Sequence, residues 1–184
     1  MGQPEQTQRL EELKERLANE RPAPWDSLPD LPLYMDQVVS YLGRQLITFG
    51  DGDLLTSAMI NNYIKDGIVP RANGKRYERE HLAGLTAVAA LKQVLSVRDM
   101  GTLIENGAMK GEPRESYEHF RAELDLALRG ALEDMEGAPD CADLASLAMT
   151  LALRSYADAL ACRHILNVLR AEAPAGERDK KKKK

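Results

Sequence analysis

Apolar residues recur at helical spacing along most of the chain, and this pattern predicts its organisation. Within residues 5–20, three leucines stand at helical spacing among charged residues, which indicates a short amphipathic helix. Residues 21–25 contain two prolines and predict a linker. We therefore expect residues 1–27 to form an N-terminal helix followed by a linker.

Residues 28–107 have the pattern of a second, compact domain. Prolines within residues 28–33 exclude a helix there, so its first helix is expected from Tyr34 to Leu46. Thr56 is a suitable N-cap for a second helix over Ser57–Lys65, and a glycine two residues later ends that helix.

The period of the pattern changes after this second helix. The dipeptide Asn73-Gly74 favours the positive φ angles of a tight turn between two short segments, which predicts a small β-hairpin. Apolar spacing then predicts a helix from Arg79 to Leu95. Ser96 and Asp99 have the spacing of a capping box, so another short helix is expected to begin there.

The C-terminal part, residues 108–172, is helical in pattern throughout. One apolar stripe runs from Tyr117 to Met135, and no glycine or proline interrupts the run from Asp140 to Ala171. A helix of about 30 residues would be about 45 Å long. Its predicted apolar positions are Leu144, Leu147, Leu151, Leu160, Ile165 and Leu169. So wide a face needs a partner, and we expect a homodimer; the alternative is that the Tyr117–Met135 stripe folds back and covers it within one subunit.

Charge is distributed unevenly along a chain whose 29 acidic and 25 basic residues give a net charge of -4. This balance excludes a dominant basic surface, so any contact with nucleic acid has to come from a local patch. Residues 65–79 form such a patch, with Lys65, Arg71, Lys75, Arg76 and Arg79 set against Asp66 and Glu78. A second basic run, Lys180–Lys184, belongs to residues 173–184, which are predicted to be a disordered tail; the alternative is a weak nucleic-acid-binding arm.

The cysteine content and the hydropathy of the sequence predict the cellular compartment of the protein. The two cysteines, Cys141 and Cys162, are not preceded by a signal peptide, and this pattern predicts a reducing cytoplasm without disulfides. The longest uncharged stretch of the C-terminal half, Leu144–Leu153, has about half the length of a membrane span. The sequence therefore predicts a soluble, cytoplasmic protein with no membrane segment.

The sequence lacks the groupings that catalysis requires. No nucleophile elbow is present, and the three histidines, His81, His119 and His164, are isolated rather than spaced as metal ligands. We expect each histidine on the surface or at the flank of a helix. The prediction is a protein that is not an enzyme and has no catalytic residues, metal site or cofactor.

A nucleic-acid interface is the chemistry that the middle of the chain favours. Ser57, Asn61 and Lys65 share one stripe of the predicted second helix, and Asn62 lies at its edge. Short polar side chains with one lysine suit a helix that reads the major groove of DNA. The predicted hairpin carries Arg71, Lys75 and Arg76, which could contact the phosphate backbone.

At these residues the chain resembles the MerR-type winged helix. The resemblance is carried by residues 60–68, by Pro70, by residues 74–77 and by two leucines of the following helix, and it implies a DNA-binding domain with a hairpin wing. Asn61 and Asn62 stand where the MerR pattern has Arg and Tyr, so fewer phosphate contacts and a weaker salt dependence are implied. No effector chemistry is implied.

A narrower resemblance covers most of the chain. Residues 30–39, 55–63 and 74–77 are similar to a bacterial family described only as a domain of unknown function, which implies no activity.

Together these patterns predict a mainly α-helical protein with a MerR-like winged helix and a C-terminal helical region. We expect residues 28–107 to bind double-stranded DNA and residues 108–172 to form the dimerisation or effector region. The predicted function is a bacterial transcriptional regulator that acts as a homodimer. The alternative is a protein-interaction module that uses the same scaffold to meet an acidic partner.

Overall fold

A computed structural model describes residues 3–48, 54–108, 111–137 and 144–172 of the chain, and these are mainly helical. The helices are α1 (Gln3–Asn19), α2 (Met35–Leu42), α3 (Ser57–Lys65), α4 (Arg79–Leu91), α5 (Val97–Leu103), α6 (Pro113–Glu136) and α7 (Leu144–Glu172). A 3₁₀ turn covers Trp25–Ser27, and a wider helical turn covers Ile104–Ala108. The mainly helical fold predicted from the pattern is confirmed.

The helices α2, α3 and α4 share one apolar core, which α5 completes. Each contributes the face that its apolar spacing indicates, because burying that face removes it from water. The most deeply buried side chains of this core include Val38, Leu42, Ile60, Leu82, Leu85 and Met100. Since α3 is anchored only through this one face, its other face is left to solvent.

Local signals place the ends of α3 and α5 where the sequence predicts them. The Thr56 hydroxyl accepts a hydrogen bond from the backbone N–H of Met59 at 3.3 Å, and the chain leaves α3 through Gly67 at a φ of 74°. The Ser96 hydroxyl accepts from the N–H of Asp99 at 3.1 Å and so caps α5.

The helices α2 and α4 each end four residues earlier than predicted, at Leu42 and Leu91, and α2 also begins one residue later, at Met35. After α2, the N–H of Gln45 donates to the carbonyl of Leu42 at 3.0 Å, and after α4 the N–H of Val94 donates to Leu91 at 3.0 Å. These are i to i+3 bonds, which tighten the last turn into hydrogen-bonded turn residues, and after α4 one i to i+4 bond, from the N–H of Leu95 to Leu91 at 2.8 Å, remains. The predicted limits at Leu46 and Leu95 are therefore wrong.

The predicted β-hairpin is also wrong, because the described residues contain isolated bridges and no strand. Asn73 and Arg76 exchange two backbone hydrogen bonds of 3.1 Å around Gly74, which has a φ of 65°. Beyond this turn, Tyr77 pairs instead with Leu33. The next hydrogen-bonded pair of such a ladder would be Arg71 with Glu78, but the carbonyl of Arg71 and the N–H of Glu78 both bond the ring of His81 instead. We call residues 71–76 the basic turn.

The helix α6 packs on both α1 and α4. Tyr117 is fully buried there, and its hydroxyl donates to the carbonyl of Ala23 at 2.8 Å. Its ring lies 6.2 Å from that of Trp25 and 6.1 Å from that of Phe120, between ring centroids. Burial raises the pKa of the Tyr117 phenol. The predicted stripe from Tyr117 to Met135 faces these neighbours.

The helix α7 packs against α5 and α6 along one face and leaves another face in water. Leu166 is 1% exposed on the packed face, where Leu144, Leu147 and Leu151 are half-buried. Six large apolar side chains of α7 are 46–67% exposed, including Ile165 and Val168 near its C-terminal end. Four of the six follow one another along one solvent-facing side of the helix: Met149, Leu153, Tyr156 and Leu160. We call these four residues the outer stripe. Packing within one subunit, the alternative to a dimer in the sequence analysis, thus covers part of α7. Three of the leucines that the sequence predicted at a dimer interface lie on this packed face.

Candidate nucleic-acid interface

The solvent face of α3 carries every polar side chain that the sequence singled out on this helix. Ser57, Asn61 and Lys65 are exposed at four-residue intervals, so they form one stripe along a helix about 13 Å long. Asn62 is exposed beside this stripe. The opposite face holds Ile60, which is fully buried in the core. The structure therefore leaves the hydrogen-bonding groups of the stripe available to a partner.

The basic turn places three exposed cations just beyond α3. The backbone N–H groups of Ile68 and Val69 donate to the carbonyl of Tyr63 at 2.9 and 3.3 Å, so the chain turns back tightly at the end of the helix. Arg71 and Lys75 are exposed and form no ion pair with any residue that the structure describes. Two uncompensated cations beside a polar helical face provide an anion-binding surface.

Arg76, the third cation of the turn, lies against an aromatic residue that sequence reasoning missed. Its guanidinium carbon is 5.5 Å from the centroid of the Tyr34 ring, and its Nη2 donates to the Tyr34 hydroxyl at 3.3 Å. Tyr34 is 48% exposed. The two residues are 42 positions apart, so no local spacing could have revealed the contact.

A buried histidine holds the start of the basic turn. The N–H of Glu78 donates to Nδ1 of His81 at 3.1 Å, and Nε2 of His81 lies 3.1 Å from the carbonyl oxygen of Arg71. Because a backbone N–H can only donate and a carbonyl can only accept, these contacts fix the neutral imidazole with its proton on Nε2. His81 is 6% exposed. Of the two positions predicted for it, the surface is therefore wrong, and His81 lies buried in the first turn of α4.

Arg79, the last cation of the window, does not belong to this surface. It is paired with the carboxylate of Asp30 and lies 5.9 Å from the centroid of the Trp25 ring. These contacts neutralise the charge of Arg79 and keep its side chain half-buried. The cations left at the surface of residues 65–79 are Lys65, Arg71, Lys75 and Arg76.

The other histidines and the cysteine that the structure describes do not form a cluster. His119 and His164 are exposed, and Cys162 is half-buried, whereas Cys141 and the lysine run Lys180–Lys184 lie outside the described residues. Over the described ranges, no group of three histidine, cysteine or acidic side chains could hold a metal ion. Nor does any described helix combine the length and apolarity that crossing a membrane requires.

The chain matches a family of proteins over its central part. The family is described as "Domain of unknown function (DUF1836)", and it matches residues 23–120. The matched range is just over half of the 184 residues and includes α2 to α5, the basic turn and the first turns of α6. Comparison with curated proteins and with solved structures gave no match.

Proposed function

The chain belongs to the family described as a domain of unknown function (DUF1836), and we propose that it is a bacterial transcriptional regulator that binds double-stranded DNA. One observation carries this proposal: the exposed stripe of Ser57, Asn61 and Lys65 ends beside a turn whose Arg71 and Lys75 have no acidic partner among the described residues. DNA offers both features that such a surface needs, hydrogen-bonding base edges and phosphates.

In this proposal α3 enters the major groove. Asn61 reads an adenine through a bidentate pair with N6 and N7, and Lys65 donates to the acceptors of a guanine. Ser57 lies in the first turn of α3 and can donate to a base or a phosphate. The deeply buried opposite face, with Ile60 and Tyr63, holds the helix in a fixed orientation on the core.

The basic turn contacts the phosphate backbone. Its short length places Arg71 and Lys75 close to the end of α3, and Arg76 extends over Tyr34. In this proposal residues 28–107 act as a MerR-like winged helix whose wing is reduced to a turn. With only four surface cations in this region per subunit, binding to a single half-site is weak.

A homodimer overcomes this weakness by presenting two half-sites, and we assign its interface to the outer stripe of α7. The stripe extends over about 17 Å from Met149 to Leu160. Exposed alanines at positions 145 and 152 flank it, and small side chains let a second helix approach closely. Eight large apolar side chains from two copies, with the surface around them, provide an area on the order of the 1,000 Å² that a specific interface needs.

This assignment differs from the face predicted by the sequence. Of the predicted apolar positions, Leu160 belongs to the outer stripe and Ile165 is exposed elsewhere on α7. The other four are half-buried: Leu144, Leu147, Leu151 and Leu169. A protein that regulates transcription in a bacterium acts on DNA in the cytoplasm, so we place it there. The proposal includes no catalytic activity, metal or cofactor.

A genomic pull-down with the intact chain, washed at stepped salt concentrations, tests the proposal. We expect discrete enriched sites whose recovery falls as salt rises, and loss of these sites in the variant R71E/K75E/R76E. The matched control reverses three exposed charges on α1 and α6, R9E/R16E/R129E, and is expected to retain the sites because exposed ion pairs contribute little. Recovery of an acidic protein without enriched DNA would favour the interaction module instead.

A further inference from the structure

A cavity of about 510 Å³ lies behind the DNA-reading surface. It is bounded by the end of α3, the loop that leads into the basic turn, the first turns of α4 and the start of α6. The volume lies within the range of clefts that bind small molecules. This cavity is separate from the outer stripe of α7 and from the exposed stripe of α3, except that Lys65 borders both it and the α3 stripe.

The wall of the cavity is apolar and its rim is charged. Ile68, Val69 and Ala83 are buried residues of the wall. Lys65 and Arg71 line the same space with exposed side chains, and Glu80 is the one acidic residue that borders it among the described residues. An apolar wall beside two cations suits a small molecule that has an apolar body and one negative charge.

Gly84 supports the interpretation of this space as a site rather than a packing defect. It lies inside the helix α4, where alanine is the more favourable residue. A Cβ atom at this position would meet no atom within 4 Å, and Gly84 lines the cavity. The backbone of α4 would therefore accept a side chain here, and the glycine leaves the space open.

We propose that this cavity binds a small monocarboxylate with an apolar or aromatic body. The carboxylate pairs with Arg71 and Lys65 at the rim, and the apolar body packs on Val69 and Ala83. Glu80 repels a second negative charge, so dicarboxylates bind less well. The ligand changes DNA affinity because Lys65 and Arg71 serve both surfaces, and this coupling rests on the proposed function.

Titration of the ¹⁵N-labelled intact chain with phenylacetate, followed by NMR, tests the site directly. We expect saturable shifts of the amide signals of Gly67, Gly84 and Ser116, which all line the cavity. Acetate lacks the apolar body and benzyl alcohol lacks the charge, so each should bind at least tenfold more weakly. Absence of shifts at these amides, or equal affinity for benzyl alcohol, would overturn the proposal.

Filling the cavity provides the second test. The substitution Gly84→Leu should abolish phenylacetate binding, and Gly84→Ala, which favours the helix, should weaken it at least threefold. Gly130→Leu is the matched control, because Gly130 is also inside a helix, has no atom within 4 Å of a Cβ, and lies on α6 away from the cavity. Unchanged binding by both Gly84 variants would show that phenylacetate occupies another place.

The coupling is measured separately from the site. Phenylacetate should change the affinity of the intact chain for duplex DNA at least threefold, and it should leave the affinity of Gly84→Leu unchanged. Binding of phenylacetate without any change in DNA affinity would contradict the coupling and leave the site standing. Failure of the intact chain to bind DNA at all would contradict the proposed function. The NMR shifts would still show whether phenylacetate binds in the cavity.

Discussion

His81 and Arg71 are ten positions apart, and the imidazole Nε2–H of His81 donates to the backbone carbonyl of Arg71 at 3.1 Å. The other ring nitrogen accepts from the N–H of Glu78 at the start of α4. One buried side chain thus joins the first residue of the basic turn to the end of a core helix. This bridge orients the start of the turn, whereas the Tyr77–Leu33 pair and the Arg76–Tyr34 hydrogen bond hold its other end.

We expect His81→Ala to weaken DNA binding about three- to tenfold although it removes no surface charge. Without the bridge, DNA binding has to order the turn, and we expect this to cost about the free energy of one hydrogen bond, about 1 kcal/mol. Fluorescence anisotropy with a labelled duplex measures the affinity, and thermal unfolding measures the accompanying loss of stability. His119→Ala, at an exposed position of α6, serves as the control. Equal DNA affinity of His81→Ala and the intact chain would show that the bridge does not position the turn.

The end of α7 is docked by a charged contact. Arg170 pairs with the carboxylate of Asp99 and donates to the hydroxyl of Thr102 at 2.9 Å. Hydrogen bonding from Arg170, with further hydrogen bonding from Ser96, lowers the pKa of Asp99 below the ordinary value of 3.8. Both residues are mostly shielded from solvent, with side-chain exposures of 23% for Arg170 and 18% for Asp99.

We therefore expect the contact to stabilise the fold fully above about pH 4 and to be lost as the pH falls through the lowered pKa of Asp99. A carboxylate whose pKa is depressed by folding contributes stability only while it is ionised. Urea unfolding between pH 2 and pH 7 measures this. Asp99→Asn should lower the free energy of unfolding by about 1 kcal/mol at neutral pH, and the free energy of unfolding should then fall less steeply below pH 4. If the free energy of unfolding fell equally steeply below pH 4 in both proteins, Asp99 would not be the source of this pH dependence.

Local signals explain which parts of the fold could be predicted. The bounds of α3 follow from Thr56 at one end and Gly67 at the other, so its exposed stripe could be located from sequence alone. The predicted hairpin does not form because the ring of His81 bonds the backbone groups of Arg71 and Glu78 that would continue it. Tyr77 pairs instead with Leu33, and a partner so distant in sequence has no signature in a short window. The contact of Arg76 with Tyr34 could not be predicted either, because these two residues are also far apart in sequence.

The face of α7 could not be assigned because this helix is apolar on several sides. Leu151 is half-buried toward its own subunit, whereas Leu153, two positions later, is 61% exposed. Where alanine and leucine occupy most positions of a helix, the sequence contains too few polar residues to show which side faces the core and which side faces solvent. The predicted domain limits at residues 28 and 107, and the roles of the predicted DNA-contacting residues, stay predictions.

Asn61 should determine base preference. Replacing it by alanine removes a bidentate contact to adenine and should cost about 1–3 kcal/mol of discrimination at one position of the site. Affinity for unrelated duplexes should stay nearly constant, because the cations are intact. Selection from a random pool of duplexes measures both quantities. An Asn61→Ala protein that selects the same site with the same preference would exclude Asn61 from base reading.

The outer stripe should hold the dimer together. Sedimentation equilibrium of the intact chain at micromolar concentration is expected to give twice the chain mass of 20.4 kDa. Leu153→Glu should dissociate the dimer without unfolding the subunit, because this side chain is exposed. Leu151→Glu is the paired comparison and should lower thermal stability, because the Leu151 side chain is half-buried in its own subunit. A monomer mass for the intact chain would end the dimer assignment.

Salt-dependent binding of duplex DNA tests the central claim most directly. Fluorescence anisotropy of the intact chain with a labelled duplex, repeated from about 50 to 200 mM salt, should give a logarithm of affinity that falls linearly with the logarithm of salt concentration. R71E/K75E/R76E should weaken binding to all duplexes at low salt and reduce this slope, whereas R9E/R16E/R129E should match the intact chain. Unchanged affinity of R71E/K75E/R76E at low salt would contradict the assignment of the basic turn to DNA.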